Sequence, residues 1–134
     1  MTPALHALVV DDDVAIRLLL TRILERRDFT VDTARDGAEA IHKVTAQPYA
    51  VILLDLMMPR VDGAGVMKFL AQYLPEQLSA VIVMTAFGAT AADSIHPQPA
   101  HFLEKPFDVR ALIAEINECV KPLEGEGLVR SPDD

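Results

Sequence analysis

Four short runs of this chain are almost wholly apolar, and each stops at a hydrophilic residue. Residues 5–10 stop at Asp11 and Asp12, 50–54 at Asp55, 80–84 around Thr85, and 100–103 at Glu104-Lys105-Pro106. Runs this short, without strict polar–apolar alternation, read as strands buried on both faces. Residues 29–33 read as one further strand. Between the runs, apolar residues recur at helical spacing. They stand at 15, 16, 19, 20, 23 and 24, and at Ile41 and Val44 behind an Asp36–Glu39 capping box. Val66, Phe69, Leu70 and Tyr73 form the next inward stripe, opened by Asp62-Gly63 and closed by Pro75. A final helix starts at Phe107 or Asp108, with Val109, Leu112, Ile113, Ile116 and Val120 on one face. Strands alternating with helices predict an α/β, doubly wound domain, a parallel sheet covered on both sides.

The chain has 134 residues, enough for one domain with its own core, and a net charge of -8. Scattered basic residues on so acidic a chain argue against direct nucleic-acid binding. The longest apolar run is too short to span a membrane, and Met1-Thr2-Pro3-Ala4 does not open a secretory signal, so the cytoplasm is the expected location. The single cysteine, Cys119, forms no internal disulfide and falls on the inner side of the last helix. Residues 1–120 are expected to form the domain. Beyond Val120, Pro122, Gly125, Gly127 and Pro132 among charges predict a flexible tail or truncated linker over 121–134.

In an open parallel sheet, ligands bind beyond the carboxyl ends of the strands. Asp11, Asp12, Asp55, Thr85 and Lys105 are therefore expected in one crevice. Three carboxylates held together repel one another, and a hard divalent cation such as Mg²⁺ relieves that repulsion. A carboxylate with an open face attacks phosphorus. Asp55, alone at the end of the middle run, is the expected nucleophile, with Asp11 and Asp12 as metal anchors and the Met57 carbonyl as a backbone ligand. Lys105 and the Thr85 hydroxyl then serve the phosphoryl oxygens. Asp13 reads as a helix cap, and a proline after Lys105 admits a cis bond that would aim the lysine. His96 and His101 have no third ligand nearby, and His6 and His42 show no role.

From about residue 5 to 120 the chain resembles the receiver domain of two-component response regulators. The matching pieces are Leu8-Val9-Val10-Asp11-Asp12-Asp13, Leu53-Leu54-Asp55-Leu56-Met57-Met58-Pro59 with Asp62-Gly63, Met84-Thr85-Ala86, and Phe102-Leu103-Glu104-Lys105-Pro106-Phe107. The resemblance implies a flavodoxin-like, five-stranded sheet of order 2-1-3-4-5. It implies phosphorylation of Asp55, Mg²⁺ at Asp11 and Asp12, a switch made by Thr85 and Phe102, and phosphate sensing by Lys105. The donor it implies is a histidine kinase or histidine phosphotransfer protein, and the readout is an altered contact with a downstream protein. Self-phosphorylation and autodephosphorylation are the only catalysis expected, in a monomer or a phosphorylation-dependent dimer. Met57 and Phe87 match positions that flank the attacking water in similar domains. Both are apolar, which predicts slow loss of the phosphoryl group.

The chain departs from the family between Thr85 and Lys105. That stretch is about two residues short, and Pro97 and Pro99 stop a helix there, so the fourth helix is expected to be shortened to 89–95 at most. An altered, more mobile output face is the expectation for residues 88–101. Two other functions fit parts of the pattern. One is a receiver-like binding module that works without phosphorylation. The other is a phosphatase with an aspartyl nucleophile, although Leu56 and Met57 stand where such an enzyme needs a second acid.

Overall fold

The computed structural model describes residues 5–58, 60–86 and 98–130, with side chains in the last helix described as far as Lys121. The chain order is β1 (Leu5–Val10), α1 (Val14–Glu25), β2 (Phe29–Ala34), α2 (Gly37–Ala46), β3 (Val51–Asp55) and α3 (Gly63–Tyr73). A 3-10 turn (Pro75–Ala80), β4 (Val81–Thr85), β5 (His101–Glu104) and a last helix (Val109–Arg130) follow. The five strands form one sheet in the order β2-β1-β3-β4-β5, and every pairing is parallel. This is the flavodoxin-like arrangement. The shortened fourth helix expected at 89–95 lies outside the described residues, as does Phe87.

The inner strands β1, β3 and β4 are apolar almost throughout because they feed two cores, whereas the edge strand β2 places Thr30 and Thr33 in the open. Leu8, Val10, Ile52, Leu54, Val81 and Val83 point to the α2–α3 side, where Val44, Val66, Met67 and Leu70 meet them. Ala7, Val9, Val51, Leu53, Ile82 and Met84 point to the other side, against Leu20 and Leu24 of α1 and Leu112 and Ile116 of the last helix. Successive strand residues face opposite ways, so continuous apolar runs are what burial on both sides demands.

Each of the four described α-helices has its head set by an aspartate. Asp13, Asp36 and Asp62 accept from the N–H groups of Ile16, Glu39 and Gly65, and Asp108 from that of Ala111. Glu39 returns its carboxylate to the N–H of Arg35, one residue before the cap, instead of closing the reciprocal box on Asp36.

Three expectations need correction. The last helix continues to Arg130, so 121–130 is helical where a loose tail was expected. Pro122 deletes one N–H donor, and the helix runs on through that loss. Tyr73, the last residue of α3, is 60% exposed where an inward position was expected, and its ring packs against Phe69 with centroids 4.9 Å apart. Leu19 and Val109 also stand in the open, at 55% and 48% exposure, because α1 and the last helix carry wider apolar stripes than the sheet covers.

Candidate functional site

The strand order places the carboxyl end of β3 between those of β1 and β4, with β5 beyond β4. Asp55 ends β3, pairs with Met84 and is 5% exposed. Its Oδ1 accepts from the Met57 N–H at 3.1 Å, and its Oδ2 lies 3.6 Å from the Lys105 ammonium. Asp11, just past β1, is 1% exposed. Its Oδ1 accepts from Asp13 N–H at 2.9 Å and its Oδ2 from Lys105 Nζ at 3.1 Å. Asp12 is exposed, yet offers a carboxylate oxygen to the same cluster. One oxygen each from Asp11, Asp12 and Asp55 lies within 4.8 Å of the others.

Desolvation at the sheet end, then the charge of Asp11, push Asp55 up to about 6 from 3.8. Lys105 and the Met57 N–H pull the other way without cancelling the push. Among the described residues, Asp11 and Asp55 share the Lys105 ammonium group, and Asp12 adds a third carboxylate beside them. A hard cation with oxygen ligands suits this donor set, so the residues fit Mg²⁺.

Thr85 closes β4 and is fully buried. Its carbonyl accepts from the Lys105 N–H at 2.7 Å, which fixes the backbone from which the lysine reaches back to the acids. The Lys105–Pro106 bond is cis. Phe102 is half-buried and packs on the α2–α3 core. Met57 is 58% exposed at the rim of the crevice. Asp11, Asp12, Asp55 and Lys105 therefore come together as the sequence predicts, with Thr85 at the neighbouring strand end.

Arg17 was not anticipated. Its guanidinium donates to the Asp11 carbonyl at 2.8 Å and steadies the turn that carries the paired acids. The available signal was a basic residue near the head of α1, where the helix dipole disfavours positive charge. His101 lies away from the acids and pairs with Glu115 of the last helix at 3.1 Å.

A family profile described as the response regulator receiver domain matches residues 7–117. The transcriptional regulatory protein ResD of Bacillus subtilis (strain 168) is 35% identical over 116 residues, which cover 85% of this chain and 47% of that protein. The response regulator receiver protein CpdR of Brucella abortus (strain 2308) is 31% identical over 115 residues, 84% of this chain and 94% of CpdR. The chain thus spans about half the length of regulators such as ResD and nearly all of CpdR. Among solved structures, the receiver domain of Francisella response regulator 1452 superposes with a TM-score of 0.78 at 29% identity, covering 89% of this chain and 98% of that one. The receiver domain of NtrX from Brucella abortus gives 0.77 at 28% identity, covering 86% and 98%.

The chain belongs to the response regulator receiver domain family. It is a phosphoryl-accepting signalling module of two-component systems. Among the described residues no helix is long and apolar enough to cross a membrane.

Proposed function

We propose that Asp55 takes a phosphoryl group from the phosphohistidine of a histidine kinase or a histidine phosphotransfer protein. The observation that carries this is the Asp55 carboxylate itself. It ends the central strand, buried, with Oδ1 held by a backbone N–H and Oδ2 facing Lys105 within a cluster of acids. A carboxylate oxygen attacks phosphorus, an O–P bond forms, and the P–N bond breaks with its electron pair returning to the imidazole, which takes a proton from solvent. Lys105 turns its ammonium from Asp55 to a phosphoryl oxygen, and the Thr85 hydroxyl donates to another. Asp11, Asp12, Asp55 and the Met57 carbonyl would hold Mg²⁺, which would supply positive charge to offset that of the phosphoryl group. Thr85 and Phe102 then carry the change toward β5 and a downstream protein. The domain itself makes no nucleic-acid contact.

A small-molecule phosphoryl donor with Mg²⁺ tests this directly. Intact-mass and peptide analysis should find one added phosphoryl group, on Asp55, absent without Mg²⁺ and absent from Asp55→Asn. An unlabelled chain would instead favour a binding module that works without phosphorylation. Label on another residue would remove Asp55 from its role.

A further inference from the structure

We infer that Gly37, at the head of α2, is a positioning residue for the phosphoryl-transfer site, acting through the connection that leads from Asp55 to α3. The inference rests on the reading of Asp55 given above. Gly37 occupies the first position of α2, where alanine makes the better helix and no turn requires glycine. Space explains it. The Gly37 N–H donates to the Val61 carbonyl at 2.9 Å, and a Cβ on Gly37 would lie 2.0 Å from that oxygen and 2.6 Å from its carbon. Both are backbone atoms, so no side-chain rotation clears the way. α2 and the acceptor connection meet main chain to main chain, and only glycine permits it.

Neighbouring contacts show what the clamp holds. Asp36 is 5% exposed, caps Glu39 with one oxygen and lies 3.8 Å from Arg60 Nε with the other. Arg60 sits in the left-handed region, at φ 66°, just before Val61. At the far end of the connection, the Gly63 N–H donates to the Leu56 carbonyl at 3.1 Å. A Cβ there would come within 2.7 Å of the Asp55 carbonyl oxygen. The segment that follows Asp55 is thus fastened at Val61 by α2 and at Gly63 by the end of β3. Between these points and Asp55 lies Met57, whose N–H fixes Asp55 Oδ1 and whose carbonyl is the proposed backbone ligand. A Cβ only 2.0 Å from the Val61 oxygen forces that peptide to move by on the order of 1 Å, and a shift of that size in the connection displaces the Met57 peptide that orients the nucleophile. Ligand-supporting contacts of this kind are worth about 10–100-fold in metal affinity when lost.

The test uses the whole chain and reads binding as well as chemistry. In wild type, titration with Mg²⁺ followed by amide NMR should shift Met57 and slow hydrogen exchange at the Gly37 N–H. Gly37→Ala should keep its helical circular dichroism, bind Mg²⁺ about 10-fold more weakly or worse, and be phosphorylated more slowly by a small donor to a similar degree. Ala38→Gly, at an exposed position one residue on, should lower Tm and leave Mg²⁺ affinity unchanged. Wild-type affinity in Gly37→Ala would overturn the clamp, as would Gly37 exchange indifferent to Mg²⁺. Should Gly37→Ala fail to fold, the wild-type exchange measurement decides alone. A wild-type chain that binds no Mg²⁺ would overturn the reading of the site, and the clamp with it.

Discussion

Asp55 keeps its charge at a cost. Burial and the Asp11 carboxylate both oppose ionisation, and among the described residues Lys105 and the Met57 backbone N–H answer them. Asp55→Asn retains the shape and removes the charge. At pH 7 in chelator it should therefore raise stability by about 1 kcal/mol or more, which is about 3–6 °C in Tm for a chain of this size. Added Mg²⁺ should narrow the gap, because only wild type gains strongly from binding. Calorimetry of both proteins with and without Mg²⁺ checks this, and a lower Tm for Asp55→Asn in chelator would show that its charge is already compensated. Met57 presents a second residue-scale case. It lies exposed two positions beyond Asp55 and has no group that orders water by strong hydrogen bonding. Met57→Asn supplies a polar amide there and should speed loss of the phosphoryl group several-fold, on the order of 10-fold. The half-life of labelled protein after donor removal reads it out, and an unchanged half-life would leave Met57 a packing residue only.

At the scale of elements, the strand pattern carries more information than the helix pattern. Each apolar run became a strand, and because the runs end in Asp11, Asp55, Thr85 and Lys105, parallel order alone gathers those residues. The site was legible for that reason. The helices were legible in position but less so in facing. On α1, Leu20 and Leu24 are fully buried while Leu18 and Leu19 are 56% and 55% exposed, a division that periodicity cannot make when apolar residues fill more than one face. Truncation should separate them. Leu54→Ala, in the centre of β3, should cost about 2–5 kcal/mol, and Leu19→Ala less than about 1 kcal/mol, measured by urea unfolding. A large loss at Leu19 would mean that the open side of α1 supports the fold. Contacts from a side chain to a distant carbonyl, such as Arg17 to Asp11, leave no periodic trace in sequence, and neither does the close approach at Gly37. The helix beyond Lys121 was missed because Pro122 and two glycines read as terminators.

Across the whole molecule, the end of the sheet opposite the acids is held by a different chemistry. Tyr49 is buried there, donates its hydroxyl to Asp32 at 2.8 Å and takes Gln77 on its own N–H at 2.7 Å, tying the α2–β3 connection to β2 and to the 3-10 turn. Cys119 of the last helix packs close by and lies 3.7 Å from the Ala80 carbonyl. Burial pushes the Tyr49 hydroxyl up to about 12 from 10.0, and the Cys119 thiol up to about 12 from 9.0. Both groups stay protonated in the fold over a range where the unfolded chain ionises. The unfolded state then binds fewer protons than the native state, so stability falls as pH rises. The contribution is intact below pH 9, the lower of the two ordinary values, and is lost progressively up to about pH 12. Tyr49→Phe should cost about 1 kcal/mol at pH 7 through the lost hydrogen bond, and that deficit should shrink above pH 10, where the variant has no hydroxyl to ionise. Cys119→Ala should likewise flatten the decline that begins near pH 9. Urea midpoints taken from pH 7 to 11 on the three proteins decide the matter. Parallel curves would mean that neither group's ionisation is linked to folding. Convergence at high pH would show that the end of the sheet remote from Asp55 is fastened by protonated side chains, leaving charge to the end that carries the acid cluster.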